Sequence, residues 1–200
     1  MGGEGGGNHH REPCELIGRG FQAGAPEVWQ AGGMSPPAAP SRRLFVALWP
    51  DARQRAALAA RRDAWEWAPA AAVVHADKLQ VTLHFLGQVP ADRVDAVREG
   101  IALPMTPFEL TLREPRVWPG GIAVLEADAP PALLDLQVRL GLALDALGLS
   151  VDHRPYRPHV TLARKARGAV PPGATPVPWQ VHDYALVVSA GGEYAVMQRY

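Results

Sequence analysis

The sequence is poor in three features that would otherwise define its class. It has one cysteine, Cys14, in 200 residues, which excludes an internal disulfide and a cysteine-rich zinc site. Its longest apolar run, residues 68–74, includes Pro69 and is far shorter than the ~20 residues needed to span a bilayer. Its 20 basic and 20 acidic residues balance, so the molecule as a whole has no positive field to hold long nucleic acid. Any recognition of phosphate must therefore come from a local cluster of charge.

The first 41 residues differ in composition from the rest of the chain. Residues 1–40 hold 10 of the 20 glycines and show neither a helical nor a strand period. Such a segment cannot bury enough apolar surface to offset its conformational entropy, so residues 1–41 are predicted to be a disordered tail. The tail lacks the apolar core of a secretory signal. We therefore expect a cytoplasmic protein whose folded domain covers residues 42–200.

The folded part alternates strands with a few helices. An apolar strand-like run at 44–49 is followed by a helix that Asp51 can cap and that extends to about Trp65. The remaining predicted elements are strands at 79–86, 108–112 and 159–163, hairpins at 117–126 and 184–199, helices at 90–101 and 132–147, and a loop at 168–178. This mixed order favours an α+β fold with antiparallel sheets.

Two strand segments repeat one pattern, one in each half of the domain. The first has the sequence Gln-Val-Thr-Leu at residues 80–83, and the second has His-Val-Thr-Leu at residues 159–162. Because side chains alternate across a strand, the first and third residues of each segment share a face while the valine and leucine point into the core. We therefore expect two related lobes, each presenting one strand to a shared cleft that Gln80 and His159 both face.

The second segment carries residues suited to phosphate chemistry. The imidazole of His159 can move a proton near neutral pH, and the hydroxyl of Thr161 can donate a hydrogen bond to a phosphoryl oxygen. The surrounding stretch 153–167 contains five arginine or lysine residues and no acid, and the planar fork of arginine suits phosphate oxygens. Nearby positive charge also disfavours imidazolium, which keeps His159 available as a base. The same residues are compatible with a surface strand between solvated basic loops.

The two segments and their flanks resemble the 2H phosphoesterase superfamily, and within it the bacterial RNA 2′,3′-cyclic phosphodiesterases, also called 2′-5′ RNA ligases. The resemblance begins at about Arg43 and includes LFVAL at 44–48, LQVTLHFLGQV at 79–89 and RPHVTLAR at 157–164. It implies a bilobal α+β fold with two mostly antiparallel sheets related by a pseudo-twofold axis, helices on the outer faces and a cleft between the lobes. It implies neither a metal nor a nucleotide cofactor, and we expect a monomer.

The resemblance also implies roles for individual residues. His159 matches the proton acceptor of the family, which activates water against a cyclic phosphate, and Thr82 and Thr161 match its phosphate ligands. The proton donor of the family falls at position 80, where this chain has Gln80. Three further residues are predicted to bind the substrate: Arg157, Arg164 and Tyr156.

Gln80 departs from the family pattern in a way that affects the chemistry. A glutamine amide can hydrogen-bond a phosphate but cannot deliver a proton, and the loss of one general acid costs a factor of ~10²–10⁴ in rate. The sequence is compatible with a slow enzyme that hydrolyses 2′,3′-cyclic phosphate RNA ends to 2′-phosphate and that can also join RNA ends through 2′-5′ linkages. It is also compatible with a non-catalytic relative that binds RNA ends or small cyclic nucleotides, and with a substitution introduced to trap substrate.

Overall fold

The computed structural model describes residues 40–200 of the chain. Its strands are β1 (Ser41–Leu48), β2 (Ala72–Val73), β3 (Val81–Pro90), β4 (Phe108–Trp118), β5 (Ile122–Ala127), β6 (His159–Arg164), β7 (Val177–Val181), β8 (Ala185–Ala190) and β9 (Glu193–Arg199). Its α-helices are α1 (Ala52–Asp63), α2 (Val94–Gly100) and α3 (Pro131–Ala146), and short 3₁₀ helices lie at Ala76–Lys78 and Ala91–Arg93. Within residues 40–200, no helix is both long and apolar enough to cross a bilayer. The predicted tail lies outside the described residues up to position 39, and β1 begins at Ser41.

The strands form one sheet, and every pairing described within residues 40–200 between its strands is antiparallel. The order across the sheet is β7-β4-β5-β6-β3-β1-β8-β9, and β2 pairs separately with β6. The two motif strands, β3 and β6, are therefore neighbours at the centre, and three further strands lie outward of each. This architecture confirms the predicted α+β fold with antiparallel strands. The two halves that the resemblance implies are joined at β3 and β6 into one continuous sheet.

β1 lies inside the sheet, between β3 and β8. Its residues Leu44, Val46 and Leu48 belong to the main core, whereas Phe45 and Ala47 belong to a smaller cluster. All five side chains are buried. A strand that is covered on both faces needs a continuous apolar run rather than an alternating one, which explains why the predicted strand at 44–49 is apolar throughout.

α3 lies against the central strand β3. Its leucines at positions 133, 136, 140 and 144 are buried, and their spacing of three or four residues puts them on one face of the helix. Pro131 starts the helix, where its fixed φ is favourable, and Gly148 follows the end of the helix with a φ of +70°. A Cβ atom added to Gly141 would lie 3.3 Å from Cε1 of His84. The helix therefore approaches β3 closely enough to contact the side chain of His84.

β7 occupies part of the segment that was predicted to be a loop at 168–178, so that prediction is wrong for its last two residues. Val177, Trp179 and Val181 are buried and alternate with the exposed Pro178 and Gln180. The period-two pattern of a strand is thus present, but a proline lacks the N–H group that a central strand needs. β7 lies at the edge of the sheet with β4 as its partner, and an edge strand tolerates proline.

Candidate active site

β3 and β6 meet where the two motifs lie. Val81 of β3 pairs with Val160 of β6 in antiparallel register, and both side chains are fully buried. In an antiparallel ladder, the residues on either side of such a pair point to the opposite face of the sheet. Four partly exposed side chains therefore share that face: Gln80, Thr82, His159 and Thr161.

The register determines which of these residues lie opposite one another. Counting from the valine pair places Thr82 opposite His159 and Gln80 opposite Thr161. The two pairs are equivalent, because each joins the first residue of one motif to the third residue of the other. This is the arrangement expected for two motifs related by a twofold axis. Gln80 and His159 are diagonal neighbours across the ladder, and such neighbours are separated by roughly 7–8 Å.

A cavity of about 530 Å³ opens on this face of the sheet. Thr82 and His159 line it, one from each motif, and Trp118, Gln137 and Tyr156 line other parts of its wall. Its volume is in the range of small-molecule binding sites. The cavity is therefore large enough to hold a nucleotide whose phosphate lies beside Thr82 and His159.

Gln80 and Thr161 are not part of the wall of this cavity. Gln80 instead contacts the wall residue Thr82, because its Nε2 donates a hydrogen bond of 3.1 Å to the hydroxyl oxygen of Thr82. A hydroxyl that accepts one hydrogen bond keeps its own hydrogen for another acceptor. The amide of Gln80 therefore orients the hydroxyl of Thr82 so that this hydroxyl can donate into the cavity.

His159 is held in an orientation suited to a base. Its Nδ1 lies 2.7 Å from the carbonyl oxygen of Arg157, and since a carbonyl can only accept, Nδ1 carries the proton of the neutral ring and Nε2 is the free acceptor. Burial lowers the pKa of His159, and the charge of Arg157 lowers it further, whereas the Arg157 carbonyl and Glu126 raise it. The predicted direction of the shift is confirmed, but burial rather than positive charge is its main cause.

The two arginines at the cavity have acidic partners. Nη2 of Arg157 lies 2.5 Å from a carboxylate oxygen of Glu126. Nε of Arg154 donates to Asp152 at 2.9 Å, and hydrogen bonding to Arg154 lowers the pKa of Asp152 to about 2. Both arginines line the cavity. Their partner acids lie outside the basic stretch in sequence, so both arginines have a countercharge although residues 153–167 contain no acid.

The other two residues predicted to bind substrate lie in different places. Arg164 is the last residue of β6, is exposed and pairs with Ala72 of β2. It is five residues from His159, roughly 17 Å along the strand, and does not line the cavity. Tyr156 does line the cavity, and its hydroxyl donates to the carbonyl oxygen of Thr82 at 3.1 Å. Burial raises the pKa of Tyr156, so this hydroxyl remains protonated and connects the segment before β6 to β3.

Two residues outside the motifs lie next to His159: Trp118, an aromatic residue suited to stacking on a base, and Glu126, which the motifs do not indicate. The ring centroid of Trp118 lies 4.4 Å from that of His159, and Nε1 of Trp118 donates a hydrogen bond to Glu126. Glu126 lies opposite His159 in the pairing of β5 with β6. Both residues belong to the predicted hairpin at 117–126, but a hairpin pattern does not show which other strand will pair with it. Only the sheet order brings these residues to His159.

His84 lies on the wall of the same cavity. It is 4% exposed, and its Nε2 lies 2.8 Å from the carbonyl oxygen of Gln137 in α3. Burial lowers the pKa of His84, so its ring is neutral near pH 7 and its Nε2 proton is bound to a carbonyl oxygen. His84 is therefore not placed to supply the proton that Gln80 lacks.

The arrangement as a whole can bind an anionic oxygen and remove a proton from water. The hydroxyl of Thr82 is a neutral donor beside the free Nε2 of His159, and both face one cavity. Gln80, on the side across from the base, has no proton of suitable acidity. Within residues 40–200, no three ligating side chains lie close enough together to hold a metal ion.

The chain is similar to known proteins in both sequence and fold. It is 31% identical over 184 residues to an RNA 2′,3′-cyclic phosphodiesterase of Thermus thermophilus, covering 79% of this chain and 89% of that protein. It is 33% identical over 110 residues to a protein of the same name from Geobacillus stearothermophilus, covering 49% of this chain but only 33% of that protein. The crystal structure of Escherichia coli LigT complexed with 3′-AMP matches with a TM-score of 0.71 and 29% identity, over 80% of this chain and 98% of that chain.

A family model agrees with these similarities and with the two motifs. The model described as the 2′-5′ RNA ligase superfamily matches residues 49–193. This range includes β3, β6 and every residue placed at the cavity above. The chain belongs to the 2′-5′ RNA ligase superfamily.

Proposed function

We propose that the protein hydrolyses the 2′,3′-cyclic phosphate at RNA ends and leaves a 2′-phosphate. The observation that carries this proposal is the state of His159, whose Nδ1 is bound to a backbone carbonyl while Nε2 is free beside Thr82. Membership of the superfamily supports the same chemistry, as do the relatives named RNA 2′,3′-cyclic phosphodiesterase.

The proposed reaction is an attack of water on the cyclic phosphate. Nε2 of His159 takes a proton from the water as its oxygen bonds to phosphorus, and the bond from phosphorus to the 3′-oxygen breaks. Because Gln80 cannot donate a proton, the departing oxygen takes one from solvent. Thr82, the motif threonine that lines the cavity, donates a hydrogen bond to a non-bridging oxygen. Attack by the hydroxyl of a second RNA in place of water would use the same base, break the same bond to the 3′-oxygen and form a 2′-5′ linkage.

Both the cavity and the solved relatives favour a nucleotide as the ligand. The E. coli protein was solved with 3′-AMP, and also with ATP and with NADP+. A cavity of about 530 Å³ has room for one nucleotide of this kind. Trp118 and Tyr156 offer it aromatic surface beside the phosphate position, and protein aromatics commonly contact bases at RNA ends.

The test is turnover of a 2′,3′-cyclic nucleotide by the wild-type protein and by two histidine variants. His159→Ala removes the base and should reduce kcat at least 100-fold, the lower end of the contribution of general base catalysis. His153→Ala is the matched control, because His153 is an exposed histidine of the same segment that does not line the cavity. Equal rates for His159→Ala and wild type would show that His159 is not the base.

A second candidate function is binding of cyclic-phosphate ends without turnover. The observation that favours it is Gln80, which is hydrogen-bonded to Thr82 and replaces the proton donor expected from the family. In that case a cyclic nucleotide binds in a calorimetric titration, while no 2′-phosphate forms over hours at saturating protein. Product formation that depends on His159 would exclude this candidate.

A further inference from the structure

Glu126 is the residue directly opposite His159 across the pairing of β5 with β6. Its side chain is 15% exposed, so its charge is shielded from water more than that of an ordinary surface carboxylate. A carboxylate in such a place is stable only when donors or cations surround it. Three side chains do so here, and two of the residues that carry them also contact His159, one through its side chain and one through its backbone carbonyl.

The contacts of Glu126 account for both of its oxygens. One oxygen accepts hydrogen bonds from Nε1 of Trp118 and from Nη2 of Arg157. The other lies 3.1 Å from Nε of Arg116. The guanidinium of Arg157 also lies over the indole of Trp118, 4.6 Å from the ring centroid. Glu126 therefore fixes Trp118 and Arg157 relative to each other.

Trp118 and Arg157 are also the residues that hold the imidazole of His159. The indole lies against the ring at 4.4 Å between centroids. The backbone carbonyl of Arg157 accepts the Nδ1 proton at 2.7 Å. A shift of either residue would allow the imidazole to rotate or to change tautomer. Because Glu126 holds both residues in place, the orientation of Nε2 of His159 depends on the carboxylate of Glu126.

We propose that Glu126 is a positioning residue for His159, which fixes the tautomer of the imidazole through Arg157 and Trp118 and stabilises the imidazolium that forms when His159 accepts a proton. The proposal rests on the proposed role of His159 as the base. In that step the water oxygen bonds to phosphorus, its proton moves to Nε2, the bond to the 3′-oxygen breaks, and that oxygen takes a proton from solvent. His159 is the protein group that gains a positive charge in this step, and Glu126 is the carboxylate opposite it on the neighbouring strand β5.

The surroundings of His159 contain few other charged or titratable groups. β3 contributes Thr82 and the buried, neutral His84, and β4 contributes Trp118, which is uncharged. The charged or titratable groups around the cavity and the Glu126 cluster are Glu126, Arg116, Arg157, Arg154, Asp152, His84 and Tyr156. Of these, only Glu126 and Arg157 act on the pKa of His159 through their charge.

The decisive measurement is an NMR titration of His159 that reports its pKa and its tautomer without requiring turnover. Glu126→Gln keeps an acceptor for Trp118 but removes the charge, so the pKa of His159 should fall while Nδ1 keeps the proton of the neutral ring. Glu126→Ala removes both, so the neutral ring should populate the second tautomer as well. Glu114→Gln is the matched control, because Glu114 lies opposite Glu126 and also pairs with Arg116, but is 49% exposed.

Kinetics supply a second measurement on the same variants. If the wild-type protein turns over the cyclic nucleotide, we expect Glu126→Gln to lower kcat about 10- to 100-fold and to leave KM little changed. This is the range found when a group that orients a metal-bound histidine is removed. The acid limb of the kcat profile should move to lower pH in parallel with the NMR titration. A wild type without turnover would contradict the proposed function but leave the NMR test intact. An unchanged pKa and tautomer in Glu126→Gln, or equal shifts in Glu114→Gln, would overturn the positioning role, and this holds even if Glu126→Ala does not fold.

Discussion

Replacing Gln80 with histidine should restore the proton donor on the side of the cleft opposite the base. Position 80 is the diagonal neighbour of His159, roughly 7–8 Å away across the ladder. Attack and departure occur on opposite sides of phosphorus, so side chains at these two positions can serve the incoming water and the leaving oxygen separately. We therefore expect Gln80→His to raise kcat on a 2′,3′-cyclic nucleotide.

The size of the gain follows from the placement of residue 80. A positioned general acid contributes ~10²–10⁴ in rate, equal to about 2.7–5.5 kcal/mol of barrier. The side chain of Gln80 bonds to Thr82 and does not line the cavity, so a histidine at this position must turn from Thr82 toward the substrate. Part of the contribution is lost in that rotation, and we expect a gain of about 10²–10³, the lower half of the range.

The assay compares kcat across pH for wild type, Gln80→His and the double variant with His159→Ala. The introduced imidazole must be protonated to act as an acid, so Gln80→His should acquire an alkaline limb that the wild type lacks, giving a bell-shaped profile. Gln88→His is the control, because Gln88 is an exposed glutamine of the same strand β3 that does not line the cavity. No gain over Gln88→His, or a gain without the alkaline limb, would refute the assignment of position 80 to the leaving oxygen.

Two further predictions concern stability. The hydroxyl of Tyr184 donates a hydrogen bond of 2.6 Å to the carbonyl oxygen of Ile101 and accepts one of 2.9 Å from the N–H of Leu103. Tyr184→Phe removes both bonds and should lower the free energy of unfolding, measured in urea, by about 1–3 kcal/mol. The half-buried Tyr194 of β9 is the control, and an equal loss in Tyr194→Phe would contradict the reasoning. Burial lowers the pKa of His84 below its ordinary 6.5, so the unfolded chain binds more protons as the pH falls below 6.5. The free energy of unfolding should then decrease from pH 6.5 toward pH 5, with a shallower slope in His84→Gln; identical slopes would exclude His84 as a source of this dependence.

The sequence predicts strands best where period and burial agree. The alternation at 159–163 predicts β6, in which the buried Val160 and Leu162 alternate with the partly exposed His159 and Thr161. In β3 the alternation holds only as far as Leu83, because a register shift against β1 leaves His84 4% exposed and Phe85 63% exposed, the reverse of the pattern. β7 was not predicted because it contains Pro178. A proline destabilises a central strand but is tolerated in an edge strand, so its effect depends on where the strand lies in the sheet. Sheet order decides that question, and sheet order is a long-range property that local pattern does not contain.

The candidate site divides in the same way. The two-residue period of a strand places Gln80 and Thr82 on the same face of one strand, and His159 and Thr161 on the same face of another. Only the resemblance to the family predicts that these two faces meet. The register that sets Thr82 opposite His159 comes from the structure. The ion pair of Arg157 with Glu126 could not be predicted from the local pattern. The basic stretch contains no acid, and the carboxylate that pairs with Arg157 comes from a strand more than 30 residues away in sequence.

The central junction of the sheet has a thermodynamic consequence. β3 and β6 share a single register pair, Val81 with Val160, and beyond it β6 turns to β2 for its partner. A phosphate bound by side chains from both strands acts as a crosslink at this narrow joint. A ligand that binds only when the two halves are joined also opposes their separation. At 100 times its Kd, such a ligand adds about 2.7 kcal/mol to the free energy of unfolding. The amide protons of the two valines would report that tightening most directly.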